Sequence, residues 1–139
     1  MNKLAIIYWS GTGNTQAMAE AVAEGARKAG ADVCLLTCAE VNDISAYDAV
    51  ALGCPAMGAE ELEDGEFLPM LEGIEPALPG KKVALFGSYG WGDGEWIRTW
   101  EARCTEKGIT LAAASVMANE TPDDDALAAC GALGEALTK

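Results

Sequence analysis

The stretch KLAIIYWSGTGNT (residues 3–15) runs from an apolar segment straight into a loop with two glycines and three hydroxyl side chains. Residues 3–9 read as a buried strand ended by Gly11. Residues 15–29 read as a helix, with Ala17, Met18, Ala21, Val22, Ala26 and Ala29 on one face and Gly30 as its stop. Strand, glycine loop and helix form the first unit, and the rest of the chain repeats its alternation.

Further apolar runs lie at 32–37, 49–54, 81–88 and 109–118. Their apolar residues come in succession rather than alternation, as in strands buried on both faces of a parallel sheet. Between them the pattern gives a short connection at 43–47 and helices at 64–73, 94–107 and 123–138. This predicts an α/β fold, a doubly wound five-stranded parallel sheet with helices on both faces. With 139 residues, 50% of them hydrophobic, one domain over 1–139 is expected.

Composition narrows the chemistry. Histidine is absent, which removes the commonest general base and every serine–histidine or cysteine–histidine nucleophile pair. The five cysteines show no Cys-x-x-Cys spacing, so they read as small buried side chains rather than metal ligands. The net charge of −13 repels nucleic acid and anionic membranes and suits basic protein partners. No segment is long and apolar enough to span a bilayer, and the apolar start is too short for a secretory signal; a cytoplasmic location is expected.

In such a sheet, ligands bind outside the carboxyl ends of the strands, where the strand order reverses. Three loops leave those ends, at 10–15, 54–64 and 88–96, and they meet if the first, third and fourth strands are neighbours. The first loop lacks the lysine of a nucleoside-triphosphate loop, with Asn14 after Gly13, and carries Gln16 where a dinucleotide fingerprint needs its third glycine. What it offers is the hydroxyls of Ser10, Thr12 and Thr15, the amide of Asn14, and backbone N–H groups at a helix start. Neutral donors of this kind suit a phosphate that is retained rather than transferred.

The second loop sets Met57 beside Gly58, and the third frames Trp91 with Gly90, Gly92 and Gly94, after Tyr89. A tryptophan between glycines has reason to be exposed, and a flat ring stacked on it is one. Trp96 and Trp100, four apart on a helix, read instead as core. A phosphate nest and an aromatic platform on one rim suit flavin mononucleotide (FMN).

The segments WSGTGNT, GCPAMGAEE, GKKVALFGSYGWGDGEW and NETPD together resemble the short-chain flavodoxins of anaerobic bacteria, of the clostridial type, along the whole chain. The uninterrupted run at 109–118 fits that short-chain class. The resemblance implies tightly held FMN and low-potential one-electron transfer between redox proteins, the cofactor moving between its half-reduced and fully reduced forms. It places Ser10, Gly11, Thr12, Gly13, Asn14, Thr15 and Ser88 about the phosphate. Met57 and Trp91 would cover the two ring faces, within turns formed by Pro55, Ala56, Tyr89, Gly90, Gly92 and Gly94. The Gly58–Ala59 peptide would lie against N5, Glu60 would accept from the ring N3–H, and Asn119 with Glu120 would complete the ribityl side and ring edge. Relatives often carry Asp or Ser where this chain has Ala59, and some carry Ser in place of Pro55.

Gly58 would allow the peptide swing that turns a carbonyl toward N5–H in the reduced states. Acidic residues around the loops would disfavour the second electron, lowering that potential, and would steer basic reductases. Three other readings are weaker. A flavin enzyme would need cations on these loops for a nicotinamide nucleotide, a phosphorylated response regulator would need acids at the ends of the first and third strands, and a non-flavin interaction module would be colourless. No metal is expected, no enzymatic role, and a diffusing carrier is expected to be monomeric.

Overall fold

A computed structural model of the protein describes residues 3–41, 43–57, 61–90 and 94–139. The chain alternates β1 (Lys3–Tyr8), α1 (Asn14–Lys28), β2 (Asp32–Thr37), β3 (Ala49–Gly53), α2 (Phe67–Ile74), β4 (Lys82–Tyr89), α3 (Glu95–Glu106), β5 (Val116–Asn119) and α4 (Asp124–Ala136). The strands form one all-parallel sheet in the order β2-β1-β3-β4-β5. The order reverses between β1 and β3, and so the first, third and fourth strands are neighbours.

Successive side chains of each strand serve opposite faces, which is why the inner strands are apolar throughout. Leu4 and Ile6 of β1, Ala49 and Ala51 of β3, and Ala84 and Phe86 of β4 pack with α1 and α4. Ala5, Ile7, Val50, Leu52, Val83 and Leu85 pack with α2 and α3 on the other side. Trp96 and Trp100 are each 1% exposed there, the core positions that their spacing predicts. The buried Glu75 carboxylate accepts from the Arg103 guanidinium at 2.6 and 2.7 Å, joining the turn after α2 to α3.

On the first face the two helices touch through glycine. A Cβ at Gly25 would strike the Gly131 carbonyl, and one at Gly134 would strike the Val22 carbonyl. The backbones of α1 and α4 therefore approach more closely than any larger residue would permit.

Three details depart from the pattern in the sequence. The buried stripe of α1 is Thr15, Met18, Ala19, Val22, Ala23 and Ala26, whereas Ala17 and Ala21 are partly exposed and Ala29 is exposed. In a helix so rich in alanine, residue type does not mark the inner face. α2 starts at Phe67, because residues 63–66 form its capping turn. The run 109–118 is not one strand: Leu111 makes a lone bridge to Val83, and pairing resumes only at Val116. Three successive alanines, poor strand formers, occupy the gap on the outer edge of the sheet.

Candidate functional site

At the carboxyl ends of β1, β3 and β4 the three loops enclose a cavity of about 500 Å³. Its described lining comprises Gly11, Thr12 and Asn14 from the first loop, Pro55, Ala56 and Met57 from the second, Ser88, Tyr89 and Gly90 from the third, and Trp9, Glu120 and Thr121. No lysine or arginine is among these residues. The volume is ordinary for a cofactor site.

The first loop is shaped by Gly13, whose φ of 94° at the start of α1 disfavours any side chain. Ser10 turns its Oγ inward to accept from the N–H groups of Gly13 at 3.0 Å and Gln16 at 3.3 Å, so it lies off the cavity lining and serves as the internal cap of α1. The N–H groups of Asn14 and Thr15 find no acceptor among the described residues. They leave free donors at the positive end of a 15-residue helix, where an anion is stabilised.

Behind this helix start, Thr15 and Ser88 are 1% and 4% exposed. Their hydroxyls lie 3.1 Å apart, and the Ser88 N–H donates to Thr15 Oγ1 at 3.4 Å. The pair fixes the first turn of α1 to the end of β4. Thr15 and Gly13 thus support the cavity from beneath rather than line it.

The second loop is tied at both ends. Cys54 donates its N–H to the Phe86 carbonyl at 3.2 Å, and its own carbonyl accepts from Trp96 Nε1 at 3.1 Å. Its Sγ accepts from the Glu63 N–H at 3.4 Å and donates to the Pro55 carbonyl at 3.6 Å. Burial pushes this thiol up to about 12, so it stays protonated. Ala56 donates to the Ser88 carbonyl at 3.0 Å and Met57 to the Glu61 carbonyl at 2.9 Å, the latter within an antiparallel bridge. A Cβ at Gly87 would collide with the Cys54 carbonyl, which is why β4 can approach here. Gly58, Ala59 and Glu60 lie outside the described residues, as do Trp91 and Gly92 of the third loop.

In the third loop the Tyr89 ring sits 5.4 Å from that of Trp96 at 44°. Gly94, with φ 93°, starts α3 against Met117 and is off the cavity lining. Asn119 is exposed at the end of β5, also off the lining, while the next two residues reach it. Glu120 has φ 55°, unusual for a residue with a side chain, and its N–H donates to the Tyr89 carbonyl at 2.6 Å. Trp9 and Thr121 are additions to the predicted set. Trp9 looks in sequence like the last residue of a strand, and only the packing of its ring on Gly11 reveals it as a wall.

The family model described as Flavodoxin matches residues 6–133. The chain belongs to the flavodoxin family. The flavodoxin of Megasphaera elsdenii is 47% identical over 136 residues, covering 96% of this chain and 97% of its own length. That of Clostridium beijerinckii is 46% identical over 123 residues, covering 87% and 89%. The solution structure of two-electron reduced M. elsdenii flavodoxin superposes with a TM-score of 0.89 at 46% identity, covering 96% of this flavodoxin and 97% of that chain. The resemblance and the doubly wound parallel fold expected from the sequence are borne out. As a flavodoxin, the chain binds FMN and carries electrons.

Proposed function

We propose that this chain is a low-potential one-electron carrier, a single FMN-binding domain over 1–139 that relays electrons between proteins rather than converting a substrate. The observation that carries the site assignment is the pair of free N–H groups on Asn14 and Thr15 at the start of α1, beside a cavity whose described lining holds no cation. Such donors fit a retained phosphate monoester, and in open sheets of this strand order ligands bind where the order reverses, as FMN does in flavodoxins. FMN supplies the electron-accepting ring.

In this reading Thr12, Asn14 and Ser88 donate to the phosphate, while Ser10, Gly13 and Thr15 hold the donors in place. Met57 covers one ring face and Trp91 the other. The 58–60 turn meets the ring edge, with Gly58 free to turn a carbonyl toward N5 and Glu60 accepting from N3–H. Pro55, Ala56, Tyr89, Gly90, Gly92 and Gly94 shape the two turns, and Asn119 with Glu120 borders the ribityl side.

Partners with basic docking faces are supported by the charge of −13, which also disfavours nucleic acid. None of the described helices is long and apolar enough to cross a membrane. A monomer working in the cytoplasm is the simplest state for such a carrier. Anaerobic reductive titration tests the function: the purified protein should be yellow and pass through a one-electron stage, seen as a long-wavelength band, before it bleaches. Direct bleaching would move the assignment to two-electron chemistry.

A further inference from the structure

Trp9 separates two adjoining cavities, the cofactor cavity of about 500 Å³ and a neighbour of about 300 Å³ that Ser10, Gln16, Cys38 and Glu66 also line. Its ring lies so close to Gly11 that a Cβ there would sit 3.1 Å from Cη2. The indole therefore backs the phosphate loop from one side. What holds the indole comes from far along the chain: Nε1 donates to Glu66 Oε1 at 3.1 Å, across 57 residues.

Glu66 is oddly employed for its position. It stands at the N-cap of α2, where a side chain ordinarily caps its own helix, yet it makes no such bond. Glu63 does that work instead, its carboxylate accepting from the N–H groups of Gly65 at 2.8 Å and of Glu66 and Phe67 at 2.7 Å. The Glu66 carboxylate is left to reach Trp9 while its backbone is fixed.

From this we infer that Glu66 is a positioning residue for the cofactor: by anchoring the Trp9 indole it keeps the wall between the two cavities closed and the phosphate loop in its binding shape. The inference rests on the cavity being the FMN site. The opposite expectation is equally definite. Were Glu66 only one more negative charge near a phosphate, its removal would tighten binding.

The test is FMN titration of the apoprotein, followed by quenching of flavin fluorescence, for wild type, Glu66→Ala, Glu66→Gln, Trp9→Phe and the double variant Trp9→Phe/Glu66→Ala. Glu66→Ala and Trp9→Phe should each weaken binding roughly five- to tenfold, the scale of one ordinary hydrogen bond in an exposed setting. The double variant should bind no worse than Trp9→Phe, since both changes remove one contact. Glu66→Gln, whose amide oxygen still accepts, should restore binding to within about twofold of wild type. The tryptophan emission of the apoprotein should change in Glu66→Ala and return in Glu66→Gln, and thermal unfolding of each apoprotein shows that it is folded. Unchanged or tighter binding by Glu66→Ala, or losses that add in the double variant, would overturn the inference while leaving the site standing. A wild-type protein that ignores FMN would instead sink the site assignment, and the inference with it.

Discussion

At the scale of single residues, the site depends on hydroxyls and thiols that are out of water. Thr15 and Ser88 satisfy one another behind the start of α1, and replacing either leaves a buried polar group without a partner. Thr15→Val should therefore cost about 1–3 kcal/mol of apoprotein stability, measurable by urea unfolding, and should weaken FMN binding as well. The cysteines divide by burial: Cys38, Cys54, Cys104 and Cys130 are buried, and Cys34 is only partly so. Burial pushes the Cys54 and Cys130 thiols up to about 12 and Cys104 to about 11. Attack on a labelling reagent needs an accessible thiolate. At mildly alkaline pH Cys34 should label first and the others only on unfolding; prompt labelling of Cys54 in the native protein would contradict this placement. That four of the five cysteines are small buried side chains agrees with the absence of any Cys-x-x-Cys spacing, whereas the sulfur bonds of Cys54 were not legible, because they join residues that only the folded loop brings together.

At the scale of elements, helix starts do most of the work. Gly13 and Gly94 open α1 and α3 with left-handed backbone, and Glu63 caps α2 with its carboxylate. Burial alone would raise the Glu63 pKa, but the three N–H bonds outweigh it and hold it below the ordinary 4.5. A carboxylate depressed in the folded state adds stability above its unfolded pKa and loses it as pH falls through the folded one. The contribution of Glu63 should thus be present above about pH 4.5 and fade below it. Glu63→Gln should unfold with a shallower dependence on pH in that acid range; an unchanged slope would remove the cap from the account. Strands of uninterrupted apolar residues and glycine-bounded helices were readable because burial on both faces leaves no other composition. The break before β5 was not, since three alanines leave the apolar run unbroken in the sequence, and the inner face of α1 was legible only at Met18, Val22 and Ala26, because alanine fills both its buried and its half-buried positions.

At the scale of the whole molecule, strand order decides what meets what. The sequence names three loops at strand ends, but only the adjacency of β1, β3 and β4 makes them one cavity, and that adjacency is long-range packing. The charge of −13, by contrast, needs no structure to read. Like charges on a small body repel at low ionic strength. The apoprotein melting temperature should therefore rise as sodium chloride is raised from roughly 10 to 300 mM, a range over which screening shortens from tens of ångströms to a few; a flat or falling curve would show that the acids are already neutralised by local pairing.

The glycine contact between α1 and α4 carries a further consequence for how the protein comes into being. α1 leaves the ribosome well before α4, and its alanine face stays open until Gly131 and Gly134 follow it out and close over Val22 and Gly25. The phosphate loop sits on the free end of that same helix. Cofactor loading then follows the docking of α4 on α1.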